Sequence, residues 1–423
     1  MLIKQLSLSN FRNYAHASLD LHPGINILVG ENAQGKTNFL EAIELLSTGQ
    51  SSRTSVESEF IRHGKEKMHI EMNFQARQTD ESLALSLFHA EELSHVPTSI
   101  NEKQKKRTIF VNGVTYSLMK KLRGRLTTVG FNSFDLNLVR GGPGFRRDWI
   151  DSVITRLKSS FHEQLSKYQK VIQQRNKLLK SLYENNHLSA RDNGELDAWN
   201  EQAANYGSTI IYWRYKILQE IIEKAKDYLA LISDQNEALS ILYRCRGLIG
   251  ENNEKEQFAS QNFFDTSVFG GSSGEKSYLQ NEKDIAQMLL HSLNKRRLEE
   301  IVRGQTLSGP HRDDIVFLLN NKEATAFASQ GQQRSLILAL KLSELALVKE
   351  HLLEPPILLL DDVLAELDLK RQSLLMSQIN SDMQTIISTT HVSSFDSTLL
   401  ENAHFYEVKS GTIAVNKNTI TTR

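Results

Sequence analysis

The sequence predicts an α/β nucleotide-binding fold: a mixed sheet with flanking helices, interrupted by an inserted, mainly helical second lobe. Three observations carry this prediction. The loop Gly30-Glu31-Asn32-Ala33-Gln34-Gly35-Lys36-Thr37 stands between an apolar run and an amphipathic stretch. A second apolar run, Pro356 to Leu360, ends in Asp361-Asp362. Between the two lies a long region, about 147 to 232, of proline-free helical periodicity.

Each element follows in order. Leu2 to Leu8 alternates like a strand, and His22-Pro23-Gly24 signals a turn. Ile25 to Val29 is the apolar, β-branched run of a buried strand. After the glycine-bracketed loop, Phe39, Ala42, Ile43 and Leu46 share one helix face. Ile109 to Val114 reads as a hairpin turning at Asn112-Gly113. Trp149, Val153 and Leu157, then Leu165, Tyr168, Ile172 and Arg175, follow helical spacing, and residues 196–232 repeat it. A Gly, Ser and Asn-rich stretch at 249–280 reads as a flexible loop, and α/β character returns after Gly304. The expected division is therefore 1–140 for the first part of the nucleotide domain, 141–303 for the helical lobe, and 304–423 for the returning part.

The loop from Gly30 to Thr37 matches G-x-x-x-x-G-K-[ST] throughout. Glycines let backbone N–H groups curl around phosphate oxygens, and the helix that follows points its positive end at the anion. Lys36 is placed between β- and γ-phosphates, and the Thr37 hydroxyl on Mg²⁺. A phosphate loop needs a metal-positioning acid on a neighbouring strand, at the carboxyl edge where ligands bind in open α/β sheets. Asp361 is the candidate for the Mg²⁺ shell, through water, and Asp362 for polarising the attacking water; alone, the pair also reads as a strand end capped by solvated acids.

Ser329-Gln330-Gly331-Gln332-Gln333 opens a strongly apolar helix. A small polar loop at a helix N-terminus is a second anion site, and it makes sense if it receives the γ-phosphate held by a different protomer. The plain alternative is a serine N-cap.

Composition sets the outer limits. The chain has 423 residues, 39% hydrophobic and 24% charged, which fills a core and argues against disorder. Fifty basic residues balance fifty acidic ones, so nucleic acid or anionic lipid must be held by a local patch. One cysteine, Cys245, excludes an internal disulfide and a cysteine-cluster zinc site. Met1 to Asn10 reads as a strand rather than a secretory signal, and Ile357 to Leu360 is far too short to span a bilayer. A soluble cytoplasmic protein with no membrane contact is the expectation.

Taken together, Gly30–Thr37, Ser329–Gln333, Ile357–Asp362 and Glu366-Leu367-Asp368 resemble the Walker A, signature, Walker B and D-loop of ABC-type ATPase heads. More narrowly, the chain resembles the RecF family of bacterial DNA replication and repair, related to SMC proteins. The cues are Leu6 to Tyr14, Gly35 to Ile43, Arg53-Thr54, Leu138 to Pro143 with Arg146-Arg147, and Ser308-Gly309-Pro310-His311-Arg312-Asp313-Asp314. The resemblance implies an ABC-type head with an inserted helical lobe, and an ATP- and Mg²⁺-dependent homodimer. Each ATP would be clasped between one subunit's Walker motifs and the other's Ser329, Gly331 and Gln332. It further implies binding to gapped or single-strand/double-strand junction DNA, work with RecR and RecO in recombinase loading during the DNA-damage (SOS) response, and slow ATP hydrolysis. His391, after Ser388-Thr389-Thr390, matches the switch histidine, or is a plain surface residue at a strand end. Arg12 and Arg53 lie in segments that approach the nucleotide in related heads; each either neutralises phosphate or makes a structural salt bridge. Phe131 to Leu136 departs from the family by carrying Asn, Ser and Phe where Ser-Pro-Glu is usual.

For DNA, the densest basic clusters are Lys103 to Arg107 and Lys120 to Arg125, each equally readable as a solvated hairpin loop. Neither interleaves aromatics, so backbone contact without sequence preference is expected. A rival class is the ATPase subunit of a membrane transporter. The Gly309-Pro310-His311-Arg312 run, the inserted lobe and the wide separation of the Walker motifs argue against it.

Overall fold

The computed structural model describes residues 1–88, 107–116, 119–185, 189–246, 263–267, 281–352, 354–379, 382–391 and 403–415. In chain order these form β1 (Leu2–Phe11), β2 (Tyr14–Asp20), β3 (Ile25–Val29), α1 (Lys36–Thr48), β4 (Lys67–Ala76), β5 (Thr79–Phe88), β6 (Arg107–Val111), β7 (Val114–Tyr116) and β8 (Thr128–Phe131). There follow α2 (Asn137–Arg140), α3 (Pro143–Leu157), α4 (Phe161–Asn185), α5 (Ala190–Ser233), β9 (Leu239–Arg246), β10 (Phe263–Ser267), α6 (Glu282–Lys295), α7 (Arg297–Arg303), β11 (Asp314–Leu319), β12 (Lys322–Glu323) and α8 (Ala324–Phe327). The last elements are α9 (Gln330–His351), β13 (Ile357–Asp361), α10 (Leu369–Ser377), β14 (Thr385–Thr389), β15 (Ala403–Lys409) and β16 (Thr412–Val415). The chain divides into two compact units, Met1–Asp135 with Val348–Arg423, and Leu136–Leu347.

The first unit has two six-stranded sheets. One, ordered β2-β1-β4-β5-β6-β7, is antiparallel throughout. Its β6–β7 hairpin turns at Asn112-Gly113, both with positive φ, as a tight two-residue turn demands. The other runs β16-β15-β3-β14-β13-β8 and is parallel except for β16. Helix α1 buries Phe39, Ala42, Ile43 and Leu46 in a core shared with Ile70, Leu85, Ile357 and Ile386 from the two sheets. Its apolar spacing thus anchors the helix whose N-terminus carries Lys36 and Thr37. The parallel sheet brings the C-terminal ends of β3, β13 and β14 side by side at one edge.

The second unit joins helices to a four-stranded antiparallel sheet, β10-β9-β11-β12. Helix α5, 44 residues long, starts with a capping box between Ser189 and Asp192 and stops at Asp234 in a left-handed conformation. Helices α4 and α7 are tied by Arg175, which donates to Asn200, Thr306 and Glu300 at 2.8, 2.8 and 2.6 Å. The Ser308–Asp314 segment is a polar hub. The His311 ring bonds the Tyr168 hydroxyl at 2.7 Å, Tyr243 donates to Asp313 at 2.7 Å, and Arg146 grips Asp314 at 2.7 and 3.1 Å.

The division differs from the expected one. The lobe does not end near residue 303, because β11 pairs with β9 along its whole length and holds the chain in the second unit to Leu347. The signature segment therefore belongs to the same unit as the helices. Within the stretch read as a flexible loop, Phe263–Ser267 forms an edge strand on β9; the rest of 249–280 lies outside the described residues.

Candidate nucleotide site

The phosphate loop leaves β3 and enters α1 through left-handed turns at Ala33 and Gly35, with φ of 64° and 121°. Gly35 is required there, since a side chain would be strained and would also sit 2.8 Å from the Asn13 amide. The carbonyl of Gln34 accepts from Asn13 Nδ2 at 2.8 Å and from the Gly411 amide at 3.0 Å. The Gln34 side chain accepts from the Ser410 amide at 2.6 Å. The Tyr14 phenol, held protonated by burial, donates to the Gly35 carbonyl at 2.9 Å. The middle of the loop is thus fixed from both flanks. Glu31, Asn32 and Ala33 at its crest are exposed. The Lys36 ammonium is buried and donates to the carbonyls of Gly30 and Glu31 at 2.8 and 3.0 Å, with Asp362 Oδ2 at 3.9 Å.

The two acids at the end of β13 face this loop. Thr37 Oγ1 donates to Asp361 Oδ1 at 2.9 Å, joining residues 324 positions apart. Ser388, opposite Asp361 on β14, donates to the same oxygen at 2.6 Å. Burial raises the Asp361 carboxyl above the ordinary carboxylate range, against the pull of the bonds from Ser388 and Thr37; Asp362 raises it further and Arg53 lowers it. A half-buried carboxylate beside a hydroxyl is a hard-oxygen pair suited to a divalent cation. Among the described residues no cluster of three or more His, Cys, Asp or Glu forms a self-sufficient metal cage. Mg²⁺ fits such a sparse set, because it keeps waters and ligand phosphates in its shell. Asp362 has a left-handed backbone, φ 54°, and its Oδ1 is buried without a hydrogen-bond partner among the described residues. His391 is exposed just past β14, where its backbone is looped back onto the Thr389 hydroxyl at 2.9 and 3.3 Å.

Arg12 and Arg53 converge on one residue that the sequence motifs had not singled out as functional, Glu41 of α1. Arg12 donates to both carboxylate oxygens at 2.9 and 2.7 Å, and Arg53 and Ser51 add bonds of 3.0 and 2.6 Å. Arg12 also reaches the Glu59 carbonyl and lies 5.0 Å from the Phe60 ring. Arg53 is the looser of the two, with 33% side-chain exposure against 15% for Arg12, and its other partner is Asn38 at 2.7 Å. Asn38 in turn donates to Asn13 at 2.8 Å. An unbroken hydrogen-bonded chain therefore runs from Gln34 through Asn13, Asn38 and Arg53 to Glu41.

In the second unit, Ser329 caps α9. Its hydroxyl accepts from the Gln332 amide at 3.2 Å, and the Gln332 side chain accepts from the Ser329 amide at 2.9 Å. Gly331 is exposed and Gln333 is held by Arg140 at 2.7 Å. Arg146 and Arg147 are spent within this unit, on Asp314 and on the Asp313 carbonyl.

Of the basic clusters, Lys103 to Lys106 lie outside the described residues, and Arg107 pairs with Glu57 at 2.6 Å. In the second cluster Arg125 pairs with Glu81 at 2.5 Å, Arg123 donates to the Thr48 carbonyl at 2.7 Å, and Lys121 sits 5.1 Å from the Tyr116 ring. Burial lowers the Arg123 pKa. Much of that local density serves internal contacts. No helix among the described residues is long and apolar enough to cross a membrane.

Comparison with known proteins gives a consistent result. The model of the RecF/RecN/SMC N-terminal domain matches residues 2–419. The chain is 36% identical over 422 residues to the DNA replication and repair protein RecF of Trichodesmium erythraeum, covering 98% of this chain and 99% of that protein. It is 36% identical over 418 residues to that of Acaryochloris marina, covering 98% and 99%. Among solved structures, the recombination mediator protein RecF with ATP, of the RecFOR pathway, superposes with a TM-score of 0.79 at 28% identity, over 98% of this chain and 97% of that one. An Smc head from Pyrococcus furiosus, at 15% identity and a TM-score of 0.50 over 98% and 96% of the two chains, shares the fold.

Proposed function

The chain belongs to the RecF/RecN/SMC N-terminal domain family, with the RecF proteins of DNA replication and repair, and from that premise we propose that it is an ATP-switched DNA-binding protein. The observation that carries this reading is the Thr37–Asp361 bond, which joins the phosphate loop to the acid-tipped strand across most of the chain.

In this reading the ammonium of Lys36 leaves the Gly30 and Glu31 carbonyls for the β- and γ-phosphates of ATP. Thr37 Oγ1 and Asp361, the latter through water, would hold Mg²⁺, and the ion would supply positive charge against the phosphates. Asp362, with an unpartnered buried oxygen, orients the attacking water. His391 contacts the γ-phosphate side from the end of β14. Arg53, the more exposed arginine on Glu41, adds positive charge, while Arg12 anchors the carboxylate.

Hydrolysis is slow, and the larger effect is a change of assembly. Ser329, Gly331 and Gln332 at the start of α9 in one copy complete the site of a second copy, so ATP favours a closed homodimer. The dimer closes on gapped or junction DNA without sequence preference and works with RecR and RecO in recombinase loading, in the cytoplasm. The whole-length likeness to repair proteins weighs against a transporter subunit.

Sizing of the wild type and Lys36→Met, with and without ATP and gapped DNA, tests this. Wild type should become dimeric with ATP, and Lys36→Met should stay monomeric. Wild-type monomers persisting in saturating ATP overturn the proposal.

A further inference from the structure

Ser388 stands outside the motifs that place the phosphates, yet its hydroxyl touches both acids at the end of β13. It is 2% exposed and pairs in register with Asp361 across the parallel β13–β14 ladder. Its single proton goes to Asp361 Oδ1 at 2.6 Å. Its oxygen accepts the backbone N–H of Asp362 at 3.0 Å, while the Ser388 carbonyl lies 3.3 Å from the same N–H.

The direction of every proton in this chain is fixed. Asp362 N–H donates to Ser388, Ser388 donates to Asp361 Oδ1, and Thr37 donates to that same oxygen at 2.9 Å. Two hydroxyl donors occupy Oδ1, so among the described residues Oδ2 is the carboxylate oxygen left without a donor. Thr37 keeps its lone pairs for a cation while its proton is engaged. The left-handed backbone of Asp362, φ 54°, is sparsely populated for a residue other than glycine and persists only where neighbours hold it. The Ser388 hydroxyl is the closer of the two acceptors that hold it.

We propose that Ser388 is a positioning residue for ATP hydrolysis, setting the rotation of the Asp361 carboxylate and the backbone of Asp362 through one hydroxyl. This rests on the ATPase reading above. Residues that orient a metal-binding carboxylate typically change metal affinity or activity by about 10- to 100-fold when removed.

The test uses full-length Ser388→Ala, Ser388→Thr and Ser388→Cys, with melting temperatures as a check on folding. Three quantities are measured: DNA-stimulated kcat and KM for ATP, and the affinity of the ATP-bound protein for Mn²⁺ by electron paramagnetic resonance. Ser388→Ala should lower kcat by roughly 10- to 100-fold and weaken Mn²⁺ binding by about tenfold, with KM for ATP within about threefold. Ser388→Thr or Ser388→Cys should recover much of both. Should Ser388→Ala fail to fold, the ranking of wild type, Thr and Cys in Mn²⁺ affinity decides in its place. Unchanged kcat and Mn²⁺ affinity in Ser388→Ala overturn the proposal, as does a loss that neither hydroxyl nor thiol restores. A wild type that binds ATP and Mn²⁺ but turns nothing over would defeat the ATPase reading instead, and the Mn²⁺ comparison would still decide the role of Ser388.

Discussion

Ser410 donates its backbone amide to the side chain of Gln34 across 2.6 Å, so the turn between β15 and β16 grips the phosphate loop from outside the Walker motifs. The neighbouring Gly411 amide takes the Gln34 carbonyl at 3.0 Å. Gly411 has φ 73°, and a Cβ there would fall 2.5 Å from the Asn13 carbonyl. Gly411→Ala should therefore displace Asn13 and the loop together and weaken ATP binding by roughly tenfold, about 1.4 kcal/mol. Ser410→Ala should be nearly silent, because its main donor is the backbone. Titration with a fluorescent ATP analogue checks both; equal affinities for wild type and Gly411→Ala would contradict the grip.

The Glu41 carboxylate, 1% exposed, is shared by two arginines. Glu41→Gln removes the buried charge the two guanidiniums share, leaving Arg12 only the exposed Glu59 carboxylate at 3.9 Å, and turns an amide N–H₂ toward donors. A loss of about 3–5 kcal/mol is expected, the usual range for removing one side of a buried ion pair. Arg53→Ala, at a third-exposed site, should cost less than about 1 kcal/mol. Denaturant unfolding gives both values, and an Arg53→Ala loss as large as that of Glu41→Gln would show that Arg53 carries the pairing.

Burial pushes the His311 pKa down to about 4, with the Thr306 carbonyl acting in the opposite direction and nearby arginines adding to the drop. The ring is neutral, accepting from Tyr168 at Nδ1 and donating to the Thr306 carbonyl from Nε2, a tautomer assigned from these partners. The folded state therefore holds fewer protons than the unfolded one between about pH 6.5 and 4. Stability is full above that window and falls through it as pH drops, by up to roughly 3 kcal/mol. His311→Gln should flatten this part of the unfolding-versus-pH curve while lowering stability at pH 7. A wild-type curve no steeper than that of His311→Gln would rule the linkage out.

Arg175 and Glu300 are both 0% exposed. Burial raises the Glu300 carboxyl, and Arg175 together with the Leu307 and Ser308 amides pulls it back. Arg175→Leu strands that carboxyl and should cost about 3–5 kcal/mol. Adding Glu300→Leu should return part of the loss, and a double-mutant cycle with a coupling near zero would refute the pairing.

Much of this is legible in the amino-acid sequence. Strands β3 and β13 are dense apolar runs with abrupt polar ends, and the buried face of α1 follows from its 3.6-residue spacing. What escaped depends on partners distant in the chain. Glu41 sits on an apolar helix face with no local hint of Arg12, 29 residues earlier. Ser388 reads as one of three polar residues in a short strand, because its partner Asp361 is 27 positions away. The Lys120–Arg125 cluster looks available to phosphate, since its basic residues are local and the groups that engage them, Glu81 and the Thr48 carbonyl, are not. Ser329 shows the opposite case: Ser-x-x-Gln ahead of an apolar helix is a capping box on sequence alone.

The position of β3 has a consequence for biosynthesis. Its two neighbours, β14 and β15, come from residues 385–409, more than 350 positions after β3. A nascent polypeptide that has emerged only through its middle region has the Lys36 loop but no ladder on either side of the strand that presents it. Until β14 and β15 are translated, both edges of β3 lack their partners, and termination between Thr37 and Thr385 leaves a fragment with its motif intact and its cradle missing.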